Sequence, residues 1–143
     1  MAEIATSTAT YEIIEPHLFR CKMIAGSHVD LPEVDENLKV TLALANEERY
    51  AVLVDARVIT TITAEAMQYA QRPETYRLLI AQAIVVDSLP NRLIANFIIK
   101  FHKPTSPTKL FSNEEAALIW LRNHMRKDKE KQLEKNKGNK LFF

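Results

Sequence analysis

Two short stretches concentrate the side chains that could recognise a ligand. Asp55-Ala-Arg57 is followed by Thr60, Thr61 and Thr63, and Asp87-Ser88 is followed by Asn91 and Arg92. Each stretch starts with an aspartate that closes a branched apolar run, residues 50–55 and 83–87, so its polar groups stand where a buried strand would emerge. In open α/β sheets ligands bind beyond the carboxyl ends of parallel strands, where helix N-termini also point their free amides. The same residues have a purely structural explanation. Thr63 and Ser88 can cap helices, and Asp55 and Asp87 can accept loop amides and pair with Arg57 and Arg92.

Chemistry of a more specific kind is not legible. Gly26 and Gly138 are the only glycines, so neither a dinucleotide-binding Gly-rich turn nor a phosphate-binding loop can be built, and no cofactor is expected. His17, His28, His102 and His124 are scattered without metal-ligand spacing, so no metal site is read. Cys21 alternates with Arg20 and Lys22 on a strand-like segment, which suits a small core filler better than a nucleophile. No catalytic residue is assigned, and the chain is expected not to be an enzyme.

These residues must be positioned by alternating strands and helices. Residues 11–14 and 18–24 form a hairpin around Glu15-Pro16-His17, in which Phe19, Cys21 and Met23 alternate with charged residues. Asp30 caps a helix to about Asn46, with Pro32 in its first turn and Val34, Leu38, Thr41, Leu42 and Ala45 on its apolar arc. Residues 63–71 and 74–81 read as helices divided by Pro73, and Ser88 opens a further helix with Leu93, Ile94, Phe97, Ile98 and Phe101 on one side. Residues 109–111 are a last short strand. Ser112-Asn-Glu-Glu115 then reads as a capping box for a final helix whose stripe is Ala117, Trp120, Leu121, His124 and Met125. The resulting order, β-β-α-β-α-α-β-α-β-α, predicts an α/β domain with a mostly parallel sheet of about five strands, an N-terminal antiparallel hairpin and right-handed βα crossovers.

At 143 residues the chain has the length of one domain. Residues 1–10 are expected to be a flexible N-terminus, 11–125 the domain and 126–143 a basic C-terminal extension. The first 121 residues hold 11 Lys and Arg against 15 Asp and Glu, whereas residues 122–143 hold 8 against 3. The basic extension carries Asp128, Glu130 and Glu134 and no aromatic residue among its lysines, so nucleic acid is not an expected partner. Loss of the apolar stripe after Met125 predicts fraying of the final helix. The single cysteine, together with the absence of a signal-like start and of a transmembrane run, points to the cytoplasm.

With the elements placed, Asp55-Ala-Arg57, the loop from Thr60 to Thr63, Ser88-Leu-Pro-Asn-Arg-Leu93 and the stretch Lys103-Pro-Thr-Ser-Pro-Thr-Lys-Leu-Phe-Ser-Asn-Glu-Glu-Ala-Ala-Leu-Ile-Trp-Leu121 resemble a group of uncharacterised bacterial proteins with a SpoIIAA-like fold, related to STAS and SEC14-type domains. The resemblance spans roughly residues 11–123. STAS antagonists of anti-sigma factors carry an Asp-Ser pair whose serine is phosphorylated, and here Thr63-Ala64 stand at that pair, with Glu65 next. The phosphorylatable serine is absent, although Thr63 keeps a hydroxyl one position away.

The resemblance implies a SpoIIAA-like single domain acting as a STAS-like interaction or regulatory module. Such a module would bind a protein partner, a second copy or a small anionic ligand through Asp55, Arg57, Thr60, Thr61, Thr63, Asp87, Ser88, Asn91 and Arg92. The SEC14 relationship implies the alternative, a protein that binds a lipid or another apolar small molecule.

Overall fold

A computed structural model describes residues 3–89, 93 and 105–141. The described residues form eight strands: β1 (Ile4–Ala5), β2 (Ala9–Glu15), β3 (Leu18–Met23), β4 (His28–Val29), β5 (Tyr50–Asp55), β6 (Thr61–Ile62), β7 (Leu79–Val85) and β8 (Thr108–Phe111). The helices are α1 (Leu31–Ala45), α2 (Ala64–Ala70), α3 (Pro73–Tyr76) and α4 (Glu114–Leu141). Six strands form one sheet in the order β1-β2-β3-β5-β7-β8, antiparallel through β3 and parallel from β3 to β8. β4 and β6 pair separately and in parallel beside it. The fold is thus mixed α/β with a mostly parallel sheet and an N-terminal antiparallel hairpin, as the alternation of segments predicts.

β5 and β7 are parallel neighbours in the middle of the sheet, and both Val52 and Val85 are buried. Their two faces meet different covers. On one face Leu18, Ala51, Leu53, Ala81, Ala83 and Val85 pack against Ala117 and Leu121 of α4, all of them fully buried. The alanines leave room for the helix backbone to come close to the sheet. On the other face Tyr11, Phe19, Cys21, Tyr50, Val52 and Leu79 form a second cluster under α1 and α3, with Phe19 and Tyr50 stacked at a ring separation of 5.5 Å. Val29, Val34 and Ala66 join α1 to α2 on that same side.

Local chemistry sets the helix ends. The Asp30 carboxylate accepts from the Leu31 amide at 2.8 Å, and Glu33 reaches back to the Asp30 amide at 2.9 Å, a reciprocal capping box. Asn46 closes α1 in the left-handed conformation that asparagine tolerates. At the start of α4 the cap is Asn113, whose side chain accepts from the Ala116 amide at 2.9 Å, and not Ser112 as the sequence suggests. Glu114, the residue next to that cap, is held by Arg20.

Three segments depart from the sequence reading. Residues 4–10, expected to be flexible, supply β1 and the start of β2. A hydroxyl and amide network joins this segment to α1: Thr6 donates to Asn37 at 2.7 Å, and Asn37 donates to Thr8 at 2.7 Å. The helix expected over residues 74–81 stops at Tyr76, because Leu79, Ala81, Ala83 and Val85 alternate as buried positions of a strand. The final helix runs on to Leu141. Its anchor beyond Met125 is polar: Asp128 accepts two hydrogen bonds from Arg49 Nε at 3.0 and 3.1 Å and one from Nη2 at 2.7 Å. Residues 129–137 are exposed. The helix expected after Ser88 falls mainly on residues outside the described ones.

These two attachments of α4 differ in kind, and so should their loss. Leu121→Ala is expected to cost about 2–5 kcal/mol in urea unfolding, since it empties a fully buried site. Asp128→Ala removes a partly exposed pair and should cost about 1 kcal/mol or less, yet accelerate amide exchange over residues 129–137. Unchanged exchange there would show that the Arg49 clamp does not hold these turns.

Candidate functional site

The described rim residues do not converge on one surface but divide between the two sides of the sheet. Asp55 alternates with Leu53 and therefore faces the α4 side. It is buried and receives a bidentate pair from Arg57, Nε to Oδ1 at 2.9 Å and Nη2 to Oδ2 at 2.8 Å, with the Arg57 amide adding a third bond at 3.2 Å. These bonds hold the Asp55 carboxyl below its ordinary range against the opposing effect of burial. The Arg57 guanidinium is raised in turn, chiefly by Asp55, with smaller contributions from Glu114 and from Asp87, which stands exposed beyond β7.

Residues that sequence reasoning missed complete this network. The register Lys22↔Asp55 brings β3 alongside, so Arg20 and Lys22 line the same cleft. Arg20 donates to Glu114 through Nε at 2.8 Å and Nη2 at 3.0 Å, and its Nη1 pairs with Glu12. A cavity of about 230 Å³ lies among Glu3, Glu12, Arg20, Lys22, Asp55, Arg57 and Glu114. The alternation of Arg20 and Lys22 with Phe19, Cys21 and Met23 marked them as one face. What alternation could not show was the pair of carboxylates, Glu12 and Glu114, that neutralise Arg20.

Thr60, Thr61 and Thr63 lie on the opposite side, next to the start of α1. The loop is tied by backbone bonds from Thr61 to Ser27 and from Thr63 to Val29, both 3.1 Å. The Thr61 hydroxyl meets His28 Nδ1 at 2.6 Å, and Thr60 is half-buried beside it in sequence. Thr63 caps α2 by accepting from the Ala66 amide at 3.0 Å, and it donates to the Asp30 carboxylate at 3.1 Å. One hydroxyl thus links the N-termini of α1 and α2. Ser88 is half-buried, and Asn91 and Arg92 lie outside the described residues.

A larger space, partly open to solvent, lies between the sheet and α1–α3. This cavity, about 360 Å³, is walled mostly by apolar side chains, Val34 and Leu38 from α1 and Val52, Val54 and Ile84 from the sheet among them. Its polar lining is neutral among the described residues. Burial pushes the Cys21 thiol up to about 11 and the Tyr50 phenol up to about 12, and raises Tyr11 and Tyr76 as well. Tyr76 donates to Gln71 at 2.9 Å, and Gln82 donates to Thr108 at 3.0 Å. Among the described residues no group of His, Cys, Asp and Glu is arranged to hold a metal ion, and no helix is long and apolar enough to cross a membrane.

A family model for a domain of unknown function, DUF7793, matches residues 13–125, and the chain belongs to that family. Among solved structures it is similar to an uncharacterised protein of the DUF3478 family with a SpoIIAA-like fold from Shewanella loihica PV-4. That similarity has a TM-score of 0.55 at 11% sequence identity and covers 84% of this chain and 90% of the other. The SpoIIAA-like architecture suggested by the sequence is therefore the architecture of the domain. No curated protein matches the chain.

The Asp55–Arg57 pair makes stability depend on pH with a definite sign. Because Asp55 is depressed in the folded state, its contribution is complete above the unfolded value of about 3.9 and disappears as pH falls through the folded value. The difference in unfolding free energy between the native protein and Asp55→Asn should therefore be constant from about pH 8 to 5 and shrink below about pH 4. A difference that persists undiminished to about pH 2 would contradict the pairing.

Proposed function

We propose that the domain is a non-catalytic binding protein that takes an apolar small molecule between its sheet and α1–α3. The observation that carries this reading is the cavity of about 360 Å³, within the ~300–1,000 Å³ of small-molecule sites and largely apolar with a few polar groups. The buried thiol of Cys21 is far from a thiolate at neutral pH, so this lining residue is a poor nucleophile.

The rim supports a small anionic ligand less well. Arg57 is paired to Asp55, and Arg20 is shared by two carboxylates. Around the cleft Glu3, Glu12, Asp55, Asp87 and Glu114 outnumber Arg20, Lys22 and Arg57. That excess favours a second reading of the rim, contact with a basic protein surface.

Nile red, a neutral dye whose emission shifts to the blue in apolar surroundings, tests the cavity. Saturable, blue-shifted binding to the full-length protein is expected, and it should be lost in Val52→Trp and in Ala70→Phe, each of which fills the space from a different wall. Circular dichroism identifies a variant that fails to fold. Absence of saturable binding, or its retention in a folded filled variant, would refute the proposal.

A further inference from the structure

We infer that the exposed face of α4 is a self-recognition surface, on which two copies of the chain pair their α4 helices antiparallel about a two-fold axis at Arg126. α4 turns Ala117, Leu121, Met125 and Asp128 toward the body of the domain. The face turned away from these residues carries the two large apolar side chains of α4 that stand exposed, Ile119 at 65% and Leu133 at 53%. They lie two heptads apart and so share that face.

Around Arg126 the chemistry of this face is symmetric. Ile119 and Leu133 stand seven residues on either side of it, Arg122 and Glu130 four, and Glu115 and Lys137 eleven. Successive steps along the face are 4, 3, 4, 4, 3 and 4 residues, the spacing of one helix stripe, and every one of these positions is exposed. In a two-fold contact each residue meets its counterpart on the other copy, and each such meeting occurs twice. Ile119 then packs on Leu133 of the partner subunit, Glu115 meets Lys137 of the partner subunit, and Arg122 meets Glu130 of the partner subunit. A parallel pair would set each of these charged residues against itself, like charge on like, so the charges select the antiparallel arrangement.

The axis is the one like-charged layer of the seam. Arg126 is already partnered within its own helix, Nη1 donating to Glu130 at 2.9 Å and Nη2 to Asn123 at 2.7 Å. Arg122 uses Nε for Glu15 at 2.7 Å, and a guanidinium has further donors for a second carboxylate. Antiparallel pairing also sets the two helix dipoles in their favourable orientation. It covers residues 129–137, which are exposed and would otherwise rely on intrinsic helix propensity.

Sedimentation equilibrium of the full-length protein at low ionic strength is expected to show monomer and dimer with nothing larger, because a two-fold contact closes on itself. Glu115→Lys and Lys137→Glu each turn two attractive pairs into two repulsive ones, and each should weaken dimerisation by at least about tenfold. An equimolar mixture of these two variants restores opposite charges at both pairs and should dimerise again. Leu133→Asp, at an exposed position, should dissociate the dimer while leaving the thermal midpoint nearly unchanged. Monomer alone up to about 1 mM would overturn the inference. So would assemblies larger than a dimer, a dimer that both charge variants retain, or a mixture of them that stays monomeric.

Discussion

Burial of β5 and β7 on both faces is the constraint from which the rest of the structure follows. A strand such as Tyr50–Asp55, apolar at nearly every position, cannot leave either face in water, so the sheet needs two covers. The covers are unequal. Ala51, Ala81, Ala83 and Ala117 let a long helix approach the sheet closely, and the contact leaves Leu53, Val85 and Leu121 fully enclosed. Across the sheet stand larger side chains, Tyr11, Phe19 and Tyr50, under the short α2 and α3 and the single longer α1. Among the described residues, the short helices above these side chains leave a space walled by α1–α3 and the sheet.

The rim shows the complementary logic. Where the strands emerge, charged side chains are brought together by register, and each cation among Arg20 and Arg57 finds carboxylates in the fold itself. A buried carboxylate such as Asp55 requires such a partner, because an unpaired charge at that depth would be strongly unfavourable. The pair fixes the turn after β5, and the Arg20–Glu114 bond fixes the start of α4 against β3. Thr63 does the same on the other side by joining the caps of α1 and α2. Asp55, Arg57, Arg20 and Thr63 are thus accounted for by architecture.

Much of the fold was legible because it depends on short-range patterns. The branched apolar runs identified β5 and the end of β7, Asp30 identified the start of α1, and Pro73 separated α2 from α3. What failed was whatever depended on distant partners. Leu79-Ile-Ala81 is compatible with a helix until Ser106 donates to the Leu79 carbonyl at 2.8 Å and β5 pairs along it. The exposed part of α4 has no apolar stripe, and its clamp comes from Arg49, far away in the chain. The site followed the same division. Asp55, Arg57 and Thr63 were visible as polar residues at strand and helix ends, but their partners Glu114 and Asp30 were not, and the cavity has no sequence signature beyond ordinary core residues.

The central claim, that ligand is held between the sheet and α1–α3, is tested most directly by methyl resonances of isoleucine, leucine and valine followed during titration with decanol. Saturable shifts are expected at Val34, Leu38, Val52, Val54 and Ile84, which line the cavity, with Leu18, Leu53, Val85 and Leu121 on the α4 face unmoved. Shifts confined to the α4 face, or spread evenly over both faces, would contradict it.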